Sequence, residues 1–246
     1  MPGRLEGKVV ILSGGTRGMG EAQVRAMVAE GARILFGGRD EQAGRAIESD
    51  LSGRANFVPL DVTRSQDWKD IVDLAMRRSG RIDGLVNNAG FGISRALTEI
   101  SDEEWAEVLA VNQTGVFFGM REVIAPMTAS GGGSIVNVAS PAGVKAHKNL
   151  VAYSAAKAAV IGMSRAAAKE LAGAGIRVNC FIPGYFATRL LSESSDGQGL
   201  ARGAQLTPLG RVGDPSESAG AILYLLSEES SFVTGTQITA DGGYTA

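Results

Sequence analysis

Seven short runs rich in β-branched and other apolar residues are separated along this chain by longer alanine-rich amphipathic stretches. That alternation constrains the fold more than any other feature, because it is the pattern of βαβ units and hence of a parallel sheet. The runs predict strands at 8–13, 33–36, 56–60, 82–87, 134–139, 176–182 and 237–240, and helical periodicity predicts helices at 18–29, 41–51, 65–78, 102–127, 153–171 and 215–226. A chain of 246 residues suits one large α/β domain or two small ones. No stretch has the composition of an interdomain linker, since Gly131-Gly132-Gly133 only stops one helix before the next strand. The reading is therefore one domain over 1–246, an α/β fold with a doubly wound, seven-stranded parallel sheet and helices on both faces. Residues 184–214 resist assignment, and a poorly patterned segment of that length in a compact domain predicts a functional loop or lid over a substrate.

Composition removes several classes of function. With 24 basic and 26 acidic residues the net charge is −2, and no run of like charge marks a nucleic-acid groove or an anionic membrane surface. One cysteine rules out an internal disulfide, and one histidine rules out a multi-histidine metal site. No apolar run approaches the ~20 residues of a membrane span, and the opening residues carry no apolar leader, so a cytoplasmic protein is expected. A small-molecule partner, with no metal, fits this balance.

Val9-Val10-Ile11-Leu12 runs straight into Ser13-Gly14-Gly15-Thr16-Arg17-Gly18-Met19-Gly20 and a helical pattern follows, so these glycines stand at a strand-to-helix turn. Glycine there lets the backbone approach a pyrophosphate, and the helix start offers free N–H groups and a positive dipole end. Further along, Ser140 ends an apolar strand, and Tyr153 and Lys157 lie one helical turn apart near the start of a helix. An ammonium beside a phenol is expected to lower the phenol pKa, which must fall by roughly 2 to 3 units from ~10 to work as acid and base near neutrality.

Gly14-x-x-x-Gly18-x-Gly20, Asn87-Asn88-Ala89-Gly90, Asn112, Ser140 and Tyr153-x-x-x-Lys157 together resemble the short-chain dehydrogenase/reductase family, and Asp241-Gly242-Gly243 extends the resemblance to the end of the chain. It implies a Rossmann-like domain and a metal-independent transfer of hydride between a nicotinamide cofactor and a carbonyl or alcohol. Tyr153 is then the proton donor, Ser140 the hydrogen-bond partner of the carbonyl oxygen, and Asn112 the holder of a water that relays protons to Lys157. Tyr153 and Lys157 also belong to the cofactor site, with Lys157 on the nicotinamide ribose. The resemblance places Gly14, Thr16, Arg17, Gly18, Met19 and Gly20 on the cofactor phosphates, and Asp61 and Val62 on the adenine. Asn88, Ala89 and Gly90 form the cofactor wall, and Pro183, Gly184, Phe186 and Thr188 close over the nicotinamide. Asp61 is alternatively a cap for the third helix, and Asn87 is equally a structural residue.

The family's NAD-binding acid would stand at Gly38, and Arg39 follows it. Arginine there accommodates the 2′-phosphate, so NADP(H) is favoured over NAD(H), and Asp40 reads as a helix cap. A free hydrophobic ketone or alcohol, held by Ala142, Val144, Val151, Tyr185, Phe186 and Leu190, is the first substrate reading. A 3-oxoacyl thioester reductase is the alternative, disfavoured by the uncharged segments 128–133 and 173–175. A non-catalytic NADP-binding sensor or regulatory subunit is the reading from another class. The resemblance also implies a homo-oligomer, commonly a tetramer. His147 reads as a loop-surface residue, Cys180 as a buried small hydrophobe, and Trp68 and Trp105 as packing residues.

Overall fold

The central strands of this chain are apolar on both faces, so they need cover from both sides. In the computed structural model, which describes residues 3–188, 191 and 198–246, seven parallel strands provide that arrangement. They are β1 (Val9–Ser13), β2 (Arg33–Gly38), β3 (Ala55–Pro59), β4 (Gly84–Asn87), β5 (Gly133–Val138), β6 (Ile176–Pro183) and β7 (Gln237–Ala240), in the order β3-β2-β1-β4-β5-β6-β7. Eight α-helices are described between and beside them: α1 (Gly18–Ala29), α2 (Glu41–Asp50), α3 (Ser65–Ser79), α4 (Asp102–Leu109), α5 (Gly115–Ala129), α6 (Val151–Leu171), α7 (Gly199–Leu206) and α8 (Ala219–Leu226).

Side chains alternate across each strand, so one run feeds two cores. Val9 and Ile11 join Trp68, Ile71, Val116, Val123 and Val160 on one face, under α3, α5 and α6. Val10 and Leu12 join Val24, Met27, Ile222 and Leu225 on the other, under α1 and α8. Each fully buried side chain of this size contributes about 1.5–3 kcal/mol relative to exposure. The chain reverses direction of winding at β1, which pairs with β2 on one side and β4 on the other. In open α/β sheets ligands bind at the carboxyl edge beside that point.

Local signals set several boundaries. Asp40 caps α2 by accepting from the Ala43 amide at 3.0 Å, and Ser101 with Glu104 forms a capping box on α4. Gly80 ends α3 with a left-handed φ of 68°. Three expectations need correction. Strand β2 continues through Gly38 and does not stop at residue 36, because Gly37 and Gly38 pair with Val58 and Pro59. The helix expected over 102–127 is two α-helices joined by a π-helical turn at Ala110–Thr114, an inserted-residue geometry that periodicity cannot reveal. Trp68 is fully buried, with its indole N–H on the Val62 carbonyl at 3.1 Å, but Trp105 is 39% exposed on α4 and is not a core residue.

Within the expected lid, α7 forms at Gly199–Leu206, where two leucines and two glycines gave no helical period. Leu190, expected in the substrate pocket, lies outside the described residues.

A polar chain crosses the core beneath the carboxyl edge. Asn87 Nδ2 donates to Asn137 Oδ1 at 2.8 Å, Asn137 Nδ2 to Ser164 Oγ at 2.8 Å, and Ser164 Oγ to the Val160 carbonyl at 2.7 Å. Asn87 Oδ1 is buried without a hydrogen-bond partner, and a β-carbon on Gly119 would collide with it and stand 2.8 Å from the Trp68 ring. Glycine is required here by space. Gly119→Ala is expected to lower stability by about 1–3 kcal/mol through overpacking; urea unfolding reads this as a lower midpoint, and an unchanged midpoint would contradict the packing argument.

Candidate active site

The glycine turn is built by close backbone approach. Gly14 has φ 73°, and a β-carbon on it would lie 2.8 Å from the Ala89 Cα. A β-carbon on Gly20 would collide with the Gly14 carbonyl. Asn88 Nδ2 ties the turn to the end of β4 through the Gly14 carbonyl at 3.0 Å, and the Ala89 amide donates to Ser13 Oγ at 3.3 Å. The start of α1 has no side-chain cap, so its amides remain free for a ligand.

These elements wall a cleft of about 550 Å³ at the carboxyl edge. Gly14, Thr16, Arg17, Gly18, Met19, Gly20, Arg39, Asp61, Val62, Asn88, Ala89, Gly90 and Thr188 all line it. Gly38, Thr63, Phe91, Glu107 and Val111 line it as well. The sequence held a partial signal for Glu107 and Val111, which are one helical turn apart, and none for Thr63. Thr188 reaches across from the segment after β6, so that a β-carbon on Gly18 would stand 3.2 Å from its methyl group.

Pro183, Gly184 and Phe186 fall outside this lining. Phe186 is buried and packs on Gly213, where a β-carbon would stand 2.7 Å from its ring, and Gly184 packs on Asp241.

The charge in the cleft is uneven. Arg17 and Arg39 enter no ion pair among the described residues. Burial disfavours ionisation of Asp61, but hydrogen bonds from the Thr63 hydroxyl and amide and the charges of Arg39 and Arg64 outweigh it. The carboxyl is held below its usual range. Asp61 accepts from Thr63 Oγ1 at 2.7 Å, a local turn, and α3 instead starts after Arg64. A β-carbon on Gly38 would lie 2.9 Å from Thr16 Cγ2 and 3.1 Å from its hydroxyl, so a carboxylate side chain has no room there unless Thr16 moves.

Beyond the loop that leaves β4, a second cluster assembles. Ser140 follows β5 and caps a 3₁₀ turn at Pro141–Gly143, its Oγ accepting from the Ala142 amide at 3.2 Å. Gly143 lets that turn sit on α6, since a β-carbon there would lie 2.8 Å from the Lys157 carbonyl carbon. Lys157 is 2% exposed and donates to the Val138 carbonyl at 2.9 Å. Its Nζ stands 5.6 Å from the centroid of the half-buried Tyr153 ring. Asn112, fully buried in the π-helical turn, donates to the Phe91 and Val108 carbonyls at 2.8 and 2.9 Å. Its Oδ1 has no partner. A β-carbon on Gly90 would stand 2.7 Å from that oxygen and 3.2 Å from Lys157 Nζ, so the two groups face one small space. Ser140, Tyr153, Lys157 and Asn112 are thus brought together from β5, α6 and the π-helical turn.

The expected effect of Lys157 on Tyr153 needs correction. Burial pushes the phenol pKa up, and hydrogen bonding with Ser140 works against that rise. Burial also pushes the Lys157 ammonium down to about 8. The protein alone therefore keeps Tyr153 protonated at neutral pH.

A family model described as enoyl-(acyl carrier protein) reductase matches residues 14–245. The chain belongs to the short-chain dehydrogenase/reductase family. It is 41% identical over 246 residues to a 3-alpha-(or 20-beta)-hydroxysteroid dehydrogenase of Mycobacterium tuberculosis, covering 100% of this chain and 92% of that protein. It is 38% identical over 251 residues to an NADP-dependent (R)-specific alcohol dehydrogenase of Lentilactobacillus kefiri, covering 100% of both. A crystal structure of a short-chain type dehydrogenase/reductase from Mycobacterium marinum superposes with a TM-score of 0.93 at 33% identity, over 98% of this chain and 97% of that one. The chain is therefore an NAD(P)-dependent oxidoreductase of this family with a single Rossmann-like domain. Among the described residues, no helix is long and apolar enough to cross a membrane, and no group of three or more potential ligands is placed to hold a metal ion.

Burying Lys157 carries a measurable energetic signature. With a folded pKa near 8 and an unfolded value near ~10.4, the unfolded chain binds more protons between those values, so this group's contribution to stability rises with pH across that window. Its full cost, about 3 kcal/mol, applies below pH ~8. Relative to Lys157→Met, the parent chain is expected to gain about that amount between pH ~7.5 and ~10.5 in urea unfolding; parallel stability profiles for the two proteins would refute the depressed pKa.

Proposed function

We propose that this protein is an NADP(H)-dependent reductase of free hydrophobic ketones, working also as the corresponding alcohol dehydrogenase, with Tyr153 as its proton donor. The observation that carries the chemistry is the convergence of Ser140, Tyr153, Lys157 and Asn112 beside the cofactor cleft. The glycine turn, the uncapped start of α1, and Arg17 and Arg39, both lining the cleft, fit a dinucleotide carrying an extra phosphate. Gly38 carries no acid for the ribose 2′-hydroxyl, which supports NADP. The name of the L. kefiri relative points the same way.

NADPH held in this cleft would supply hydride for the carbonyl carbon. Tyr153 Oη, protonated at neutral pH, gives its proton to the carbonyl oxygen, and the product is the alcohol. Ser140 Oγ donates a hydrogen bond to the same oxygen and stabilises the charge that builds on it. Lys157 orients the nicotinamide ribose and restores the proton on Tyr153. Asn112 Oδ1, which faces the same space as Lys157 Nζ, holds the water that replenishes Lys157.

The lid expected over 184–214 is anchored, in its described part, by Thr188 beside Gly18 and Phe186 seated on Gly213, while residues 189–190 and 192–197 lie outside the described residues. Ala142, Val144, Val151 and Tyr185 form the apolar side of the substrate site. Free alcohols and steroids in the relatives' names, and the uncharged 128–133 and 173–175 segments, favour a free ketone over a carrier-bound thioester. The exposed Trp105 and Phe117 on α4 and α5 support a homo-oligomer.

Tyr153→Phe removes the proton donor and keeps the ring, and is expected to lower kcat on a ketone panel by about 10²- to 10⁴-fold; turnover at the parent rate would remove Tyr153 from that role. Arg39→Ala is expected to lower the ratio of kcat/KM for NADPH over NADH by about 10- to 100-fold, the range of a lost charge-assisted hydrogen bond. If the parent enzyme used NADH as well as NADPH at subsaturating concentration, the NADP assignment would be abandoned.

A further inference from the structure

The chain that leaves β4 does not turn directly into α4. Residues 91–100 run as a strap without helix or strand, mostly exposed, with Leu97 standing largely in solvent. Its near end is tied down, since the Phe91 carbonyl accepts from Asn112 Nδ2 at 2.8 Å. Gly92 then passes alongside the Tyr153 ring, where a β-carbon would stand 3.4 Å from both Cγ and Cδ2, in ordinary contact with the ring. The far end turns into α4 through bonds from the Glu99 and Ile100 amides to the Ala96 carbonyl at 2.9 and 3.1 Å. Between these ends, among the described residues, one main-chain hydrogen bond joins the strap to another segment. It runs from the Arg95 amide to the Asn149 carbonyl at 2.9 Å.

Asn149 lies two residues before α6, the helix that carries Tyr153 and Lys157. Its φ is 66°, in the left-handed region, and among the described residues only it and Ser52 take a positive φ without being glycine. Asparagine tolerates this region better than most residues, for which the β-carbon crowds the following carbonyl. The Asn149 side chain is exposed, so what the position contributes is the backbone turn that delivers its carbonyl to Arg95. The Arg95 side chain adds little. Its Nε stands 3.3 Å from Glu104 Oε1, but the guanidinium is half exposed, and exposed ion pairs of this kind hold weakly. The main-chain clasp therefore carries the middle of the strap.

We propose that Asn149 is a positioning residue for the proton donor: its left-handed backbone clasps the strap to the root of α6 and so keeps Gly92 against the Tyr153 ring. With the clasp closed, main chain lies along the ring and limits its swing. With the clasp open, the ring gains freedom, and the hydroxyl spends less time where a carbonyl oxygen can take its proton. Small displacements of a reacting group cost rate steeply. The inference rests on the reading of Tyr153 as the proton donor and adds the device that holds it. Phe91, the strap residue that lines the cofactor cleft, is held separately by Asn112, so opening the clasp leaves cofactor binding unchanged.

Asn149→Gly and Asn149→Ala both remove the side-chain amide and differ only in the β-carbon, which alanine must carry at φ 66° and glycine lacks. The assay uses the full chain with NADPH and cyclohexanone, acetophenone and 2-octanone, the best of the three held at saturation. The glycine variant is expected to keep kcat within about twofold of the parent, and the alanine variant to lower it by about 5- to 20-fold. The Kd for NADPH, read by its fluorescence, is expected to stay within about twofold in both. Amide hydrogen exchange in peptides covering 93–99 is expected to quicken by a similar factor in the alanine variant and not in the glycine variant. If the alanine variant does not accumulate as folded protein, Arg95→Pro, which deletes the amide donor, takes its place. Its control is Arg95→Ala, which keeps that donor and loses only the exposed ion pair. Equal kcat or equal exchange within a pair would overturn the proposal, as would a loss of NADPH affinity as large as the loss of kcat, which would place the effect in the cofactor cleft. Failure of the parent enzyme to reduce any of these ketones with either cofactor would count instead against the reductase reading, and the exchange comparison, which needs no turnover, would still decide whether Asn149 clasps the strap.

Discussion

The structure depends on burying a parallel sheet from both sides. Backbone groups in β1, β4 and β5 are consumed by the ladders, and side chains on both faces are consumed by the two cores. Nothing within the sheet remains for a ligand. The chemistry is therefore pushed to the carboxyl edge, where chains leaving β1, β2, β3, β4, β5 and β6 must turn. The reversal of winding at β1 opens a cleft between two of those turns, and the glycine loop and the loop after β4 become its walls.

Close approach of backbones does the fine positioning. Gly90 stands between Asn112 and Lys157, Gly143 lets the serine turn lie on α6, and Gly20 allows α1 to begin against Gly14. At each point a single β-carbon would displace a group that the proposed chemistry uses. The polar chain from Asn87 through Asn137 to Ser164 lies just below, so the floor of the site is hydrogen-bonded as well as packed. Burying Lys157 in this setting costs stability. The proposed chemistry gives that cost a use, since it calls on an ammonium close to its titration point.

The relation between Tyr153 and Lys157 shows how far local spacing carries an argument. A phenol and an ammonium one turn apart suggest a lowered phenol pKa. In the folded protein desolvation dominates both groups, pushing the phenol up and the ammonium down, and the lysine is directed to a backbone carbonyl. The proposed reduction needs a protonated donor, and a phenol kept protonated meets that need. The same limit appears at Tyr244, which is far from His147 and Tyr185 in sequence and packs against both rings in space.

Sequence alone was sufficient for the class of fold, for most strand and helix positions, and for the motif residues, because each depends on a period or a spacing of a few residues. Apolar runs predict strands, Asp40 predicts a cap, and glycines between strand and helix predict a turn whatever surrounds them. Tertiary structure decided the rest. The π-helical turn that buries Asn112, helix α7, the packing of Phe186 on Gly213 and the joining of Tyr244 to His147 and Tyr185 all arise from contacts between segments distant in the chain. The direction of each pKa shift was decided there too, because desolvation is a property of what is packed around a group and leaves no trace in the order of residues.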